Sequence, residues 1–158
     1  MDLSKETYEL IGRLSFEYNK LQFFLAILYN TFSISSESGF RVLKEKGLPR
    51  LLNCINMFSA QIKLTDENQI CIKDLIQDII QVKERRNTLI HSLVFTTEDF
   101  SDEQVIPFFE SIRRNEIVLQ DINHSDLHDL INKTKELAVQ IIVFTINLEK
   151  YLRDSNLR

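Results

Sequence analysis

Residues 4–32 read SKETYELIGRLSFEYNKLQFFLAILYNTF. Leu10, Ile11, Leu14, Tyr18, Leu21, Leu25 and Leu28 recur in it at steps of three and four, the spacing that gathers side chains on one face of a helix. Ser4 stands where a capping hydroxyl can accept from the first unpaired amides. The stretch predicts a helix of about eight turns at 3.6 residues each. One apolar stripe of that length has to be buried against other elements, so the rest of the chain should supply them.

Downstream, ISSESG at residues 34–39 interrupts the pattern, because serines compete for backbone hydrogen bonds and glycine costs helix entropy. Helical periodicity resumes at Phe40, stops near Gly47 and restarts at Pro49, which suits a first-turn position, to continue through Leu64. A single interrupted helix is expected. Thr65 with Asp66 and Glu67 is a start signal for a third helix over about 66–95, with Ile70, Leu75, Ile79, Val82, Leu89 and Leu93 as its apolar stripe. The acidic run TTEDFSDEQ at residues 96–104 then reads as a solvated loop. Two short extended runs between Val105 and Leu119, the first limited to an edge by Pro107, predict a β-hairpin over about 104–120. The last helix is expected over about 125–153, capped by Ser125, with Leu130, Leu137, Ile141, Phe144 and Leu148 inward.

Composition agrees with this reading. The 158 residues hold three glycines and two prolines, too little turn chemistry for a many-stranded sandwich or barrel. With 44% hydrophobic residues the length suits one domain. The expected fold is all-α, an up-and-down four-helix bundle with an interrupted second helix and a short β-hairpin insertion before the last helix. The N-terminus has no basic and apolar leader pattern, and no apolar run approaches the roughly 20 residues of a membrane span. A cytoplasmic protein without membrane contact is expected. Cys54 and Cys71, seventeen positions apart with no CxxC, read as reduced, buried thiols. A net charge of −4 excludes a protein that coats a nucleic-acid backbone over a broad basic surface.

The chemistry-bearing residues concentrate in KERRNTLIHSLVF, residues 83–95. A guanidinium can fork onto two phosphate oxygens, and an imidazole can give or take a proton near neutrality. Asn87 and His91 are four apart and share a helix face, with Glu84 on the same side. Arg86 lies roughly 140° around the helix from His91, in the apolar arc with Leu75, Val82 and Leu93. A charge there requires a partner, such as Glu17 of the first helix, or a cleft to line. Arg85 stands within reach of the same imidazole along the sequence. His124 and His128, near Asp121, Asp126 and Asp129, lack a third ligand at good spacing, so no metal is expected. Phe24, Phe32, Phe58 and Phe144 read as core. Arg41, Lys44, Lys46 and Arg50, Lys83 with the arginine pair, and Arg113 with Arg114 are the local basic patches.

The run Arg86-Asn87-Thr88-Leu89-Ile90-His91 resembles the R-x4-6-H motif, with a polar residue directly after the arginine, of the HEPN superfamily of helical bundles. A long first helix, a motif late in a later long helix and a closing helix extend the resemblance over residues 1–158 as a single domain. The resemblance implies a metal-independent endoribonuclease, with no cofactor, of toxin or antiphage defence systems. Two copies would form a homodimer and cut RNA at their shared cleft. Arg86 and His91 would be the catalytic pair, with Asn87 and Arg85 binding or orienting the substrate. A cognate antitoxin or regulatory protein is the implied further partner. Within the same superfamily the alternative is an inactive bundle that binds protein as an immunity, antitoxin or scaffold component.

Overall fold

A computed structural model describes residues 5–32, 34–62, 64–94 and 124–155. Four helices make up the described chain: α1 (Lys5–Thr31), α2 (Gly39–Gln61), α3 (Asp66–Val94) and α4 (His124–Asp154). No strand occurs among the described residues, and the expected hairpin over about 104–120 lies outside them. The described residues form an all-helical bundle.

Local chemistry sets the helix ends. The Ser38 hydroxyl accepts from the Phe40 amide at 3.3 Å to cap α2, and Thr65 Oγ1 accepts from the Asn68 amide at 3.3 Å to cap α3. Inside α2, Gly47 adopts φ 80° and ψ 171°, a conformation costly for a residue with a Cβ, and Pro49 follows in the first turn of the resumed helix. The break expected near Gly47 is thus a sharp elbow. Both ends of α2 lie against the C-terminal part of α1. Phe40 meets Phe23 in a tilted contact with ring centroids 5.2 Å apart, and Phe58 meets Tyr29 at 5.1 Å and Phe32 at 6.2 Å. Gly39 approaches α1 so closely that a Cβ there would stand 2.5 Å from the Ala26 carbonyl, and its amide donates to Asn30 Oδ1 at 2.7 Å.

The elbow changes the topology from the one expected. Four straight helices in up-and-down order would leave α1 and α4 antiparallel. Instead the first turns of both meet, with Thr7 Oγ1 hydrogen-bonded to His124 Nε2 at 2.9 Å and Glu6 Oε2 3.6 Å from His124 Nδ1. α1 and α4 run parallel, because doubling back at Gly47 adds one reversal to the chain path. α3 is antiparallel to α4, as the pairs Arg85–Asp126 at 3.1 Å and Lys133–Asp78 at 2.8 Å fix. The α1–α4 contact is the most extensive in the bundle, followed by α1–α2, with α3 against α4 and α2.

The core is continuous and mostly aliphatic. Leu14, Leu21, Leu25, Leu51, Ile55, Ile72, Ile79, Leu130, Leu137 and Ile141 are fully buried. Ile70, expected on the α3 stripe, is exposed, and Ile72 takes the inward position. Cys54 is buried as expected, but Cys71 is on the surface. Ile70 lies nearly opposite the α3 face that Ile72, Leu75 and Ile79 define, whereas Cys71 lies at the flank of that face, in the first turns of the helix. Among the described residues no helix is long and apolar enough to cross a membrane.

Candidate functional site

The inward stripe of α3 runs Ile72, Leu75, Ile79 and Val82, all buried. One turn beyond Val82 the same face carries Arg86, so a guanidinium stands where the pattern calls for an aliphatic side chain. It reaches across the bundle to α1, with its Cζ 5.1 Å from the centroid of the Tyr18 ring. Its Nη1 donates to Asn87 Oδ1 at 3.0 Å. The Nε is buried and has no hydrogen-bond partner among the described residues. Such a group ordinarily finds an acceptor, because an unpaired buried donor loses its water without compensation.

Glu17, the expected counter-ion, does not serve Arg86. Its buried carboxylate lies 3.5 Å from Lys20 Nζ on its own helix. A cation over an aromatic face is favoured by the ring quadrupole and needs no carboxylate. Tyr18 was legible in the sequence only as one more stripe residue; the signal for its role is that it alone on that stripe combines a π face with a hydroxyl. Burial raises the Tyr18 phenol pKa above its ordinary value, while a hydrogen bond with Gln22 and the Arg86 charge pull it back part of the way.

The two adjacent arginines diverge. Arg85 turns to α4 and holds Asp126 Oδ1 at 3.1 Å in a half-exposed pair, whereas Arg86 turns to α1. Asn87 and His91 lie one turn apart on α3. The His91 side chain lies outside the described residues. The Arg86–His91 segment also lies beyond the part of α3 that α2 covers: the groove of about 620 Å³ between these helices runs from Asn56 beside Lys73 down to Pro49 near Ile80 and Lys83. Below the elbow, α1 and α3 face each other directly through Tyr18 and Arg86.

Elsewhere, Arg41 and Lys46 are engaged by Glu37 and Glu45, at 2.8 Å for Lys46 with Glu37 and 3.0 Å for Arg41 with Glu45. The Lys46 hydrogen bond, with the charges of Lys46, Arg41 and Arg50, holds the Glu37 carboxyl below the ordinary range. Arg113, Arg114 and Asp121 lie outside the described residues. His124 opens α4 itself, one residue before the expected start, and serves as a tie to Thr7. No group of three or more His, Cys, Asp and Glu side chains among the described residues is placed to hold a metal.

Among the described residues, the fold and site define a helical bundle with a partly buried guanidinium held by a carboxamide and a phenol ring, beyond the part of α3 that the second helix covers. No family model, no curated protein and no solved structure matches the chain.

Proposed function

We propose that the chain is a metal-independent endoribonuclease of HEPN type, a cytoplasmic toxin or defence effector that cuts RNA at a cleft between two copies. The observation that carries the reading is Arg86. Its guanidinium is held by Asn87 and Tyr18 beyond the part of α3 that α2 covers, with a buried N–H that lacks an acceptor among the described residues. That geometry pre-orients a cation for a phosphate oxygen, which the terminal nitrogens of the guanidinium rather than the buried Nε would meet. His91, one turn beyond Asn87, is the proton carrier of the scheme. It takes the proton of the ribose 2′-OH as that oxygen attacks the adjacent phosphorus, the bond from phosphorus to the 5′-oxygen breaks, and the leaving oxygen takes a proton from water, which the imidazolium repays on returning to its neutral form. The products are a 2′,3′-cyclic phosphate and a 5′-hydroxyl. No metal or cofactor enters this balance. A homodimer would serve this scheme, because residues roughly 140° apart on one helix converge more readily when two helices contribute.

The test is RNA cleavage in EDTA. Wild type should cut, and His91→Ala and Arg86→Ala should each abolish cleavage while the helical circular dichroism persists. Expression of wild type, but not of either variant, should arrest growth. Absence of cleavage of any RNA, with both variants lowering Tm alike, would overturn the proposal. That outcome would favour the second reading, an inactive bundle that binds a partner protein. Its support is that bonds within the chain already occupy one Nη and the face of Arg86, as a purely structural arginine requires.

A further inference from the structure

The groove of about 620 Å³ between α2 and α3 has two charged lining residues, Lys73 at one end and Lys83 at the other, and no carboxylate between them. Ten residues of helix set these positions about 15 Å apart. Neither ammonium has an ion-pair partner among the described residues, whereas Lys46, Arg85 and Lys133 are each held by one. Asp78 turns to Lys133 of α4 at 2.8 Å, and Asp74 lies near Cys71. A chain of net charge −4 thus keeps a locally positive groove. Its walls offer the carboxamides of Asn53, Asn56 and Gln77 beside the apolar Ile76 and Ile80. The row Lys73, Gln77, Ile80, Glu84 and Asn87 follows α3 at steps of four and three, and the next step is position 91. The groove therefore continues along one helix face to the carboxamide that holds Arg86. Glu84, the one carboxylate on this part of the row, stands between Lys83 and Arg86, so the junction keeps a net positive charge.

We infer that the α2/α3 groove holds a single RNA strand beside the phosphate that is cut; the choice of polymer rests on the ribonuclease reading. Backbone phosphates supply the counter-charge that Lys73 and Lys83 lack within the described residues. Each carboxamide carries donors and an acceptor, the pattern that unpaired base edges present in return. The volume is that of a small-molecule pocket between two helices, so a strand can enter and a duplex cannot. An acidic peptide would also meet the two lysines. RNA is favoured because the row leads on to Asn87, Arg86 and position 91, so that bound strand and scissile phosphate lie on one line.

Fluorescence anisotropy of the full chain with a short dye-labelled single-stranded RNA tests it. The probe carries 2′-O-methyl riboses, which cannot attack the phosphate, so binding is read without cleavage. Wild type should bind, and a duplex of the same length should compete poorly. Lys73→Ala combined with Lys83→Ala should weaken binding about tenfold and flatten the slope of log Kd against log salt by about 1.4, two phosphate contacts at about 0.7 each. Gln77→Glu, at an exposed position in the middle of the groove, should weaken it as well. Lys135→Ala combined with Lys150→Ala, the same change of charge on α4, should leave binding almost unchanged. Helical circular dichroism and Tm should persist in all of them. No binding by wild type, equal weakening by the α4 pair, or a polyglutamate peptide that binds as tightly through the same two lysines would overturn the inference, the last in favour of an acidic protein partner. A wild type that binds through the groove yet cuts no RNA fails the ribonuclease reading alone. One that cuts RNA while the groove variants bind normally fails this inference alone.

Discussion

The guanidinium of Arg86 lies over the ring of Tyr18, 5.1 Å from its centroid, and joins α3 to α1 across the bundle. Among the described residues this contact stands where a carboxylate would pair a partly buried arginine. A partly desolvated cation–π contact is worth about 1–2 kcal/mol. Tyr18→Phe keeps the ring and should lose little stability, whereas Tyr18→Leu should lose about that amount together with some packing. Arg86→Lys should not restore what Arg86→Ala loses, since an ammonium cannot hold Asn87 and stack on the ring with one planar group. Chemical denaturation of the four variants checks the order, and equal stability of Tyr18→Phe and Tyr18→Leu would contradict it.

Arg85 and Arg86 should separate sharply. Arg85 makes an exposed pair with Asp126 at 3.1 Å, a kind of contact worth about 0–1 kcal/mol. Arg85→Ala should therefore leave Tm almost unchanged and, in the proposed ribonuclease, retain most of its cleavage rate. Arg86→Ala should abolish cleavage. A reversed pattern in single-turnover rates would show that Arg85 is the phosphate-facing residue.

Much of this architecture was legible because periodicity and caps speak for local structure. The stripe through Leu14, Leu21 and Leu25 and the Thr65 start signal mark α1 and α3, and Gly47 with Pro49 marks the break in α2. The direction of α4 relative to α1 was not legible. It depends on how sharply the chain turns at Gly47, a matter of φ and ψ rather than of residue type. In the same way the helical wheel places Arg86 toward the core, but the choice between Glu17 and Tyr18 as its partner is tertiary. Glu17 was equally near in sequence terms, yet it lies with Lys20 on its own helix.

Tyr18 also gives the protein an alkaline limit. Its phenol pKa is raised chiefly by burial, so the folded state favours the neutral form. The stabilisation is fully present below the unfolded value near pH 10 and is lost as pH rises through the higher folded value. Tm measured upward from about pH 9 should fall more steeply for wild type than for Tyr18→Phe, which has no phenol to ionise at that position. Parallel curves would show that another group sets the limit.

The three glycines should respond to alanine in three ways. Gly12 lies in α1 with nothing within 4 Å of where a Cβ would stand, so Gly12→Ala should stabilise by about 0.5–1 kcal/mol through helix propensity alone. At Gly47 a Cβ has room, with its nearest neighbour at 3.7 Å from Pro49, but φ is 80°. Gly47→Ala should cost about 1–2 kcal/mol from backbone strain, without disturbing the packing. At Gly39 the added carbon would stand 2.5 Å from the Ala26 carbonyl oxygen and 3.0 Å from the Ala26 Cα. Backbone cannot yield as a side chain can, so α2 must move away from α1 and stretch the 2.7 Å bond from the Gly39 amide to Asn30. Gly39→Ala should therefore be the most damaging, by about 2 kcal/mol or more. Urea titration of the three variants gives the ranking directly, and a Gly39→Ala protein more stable than Gly47→Ala would mean that the two helices do not meet so closely at that corner.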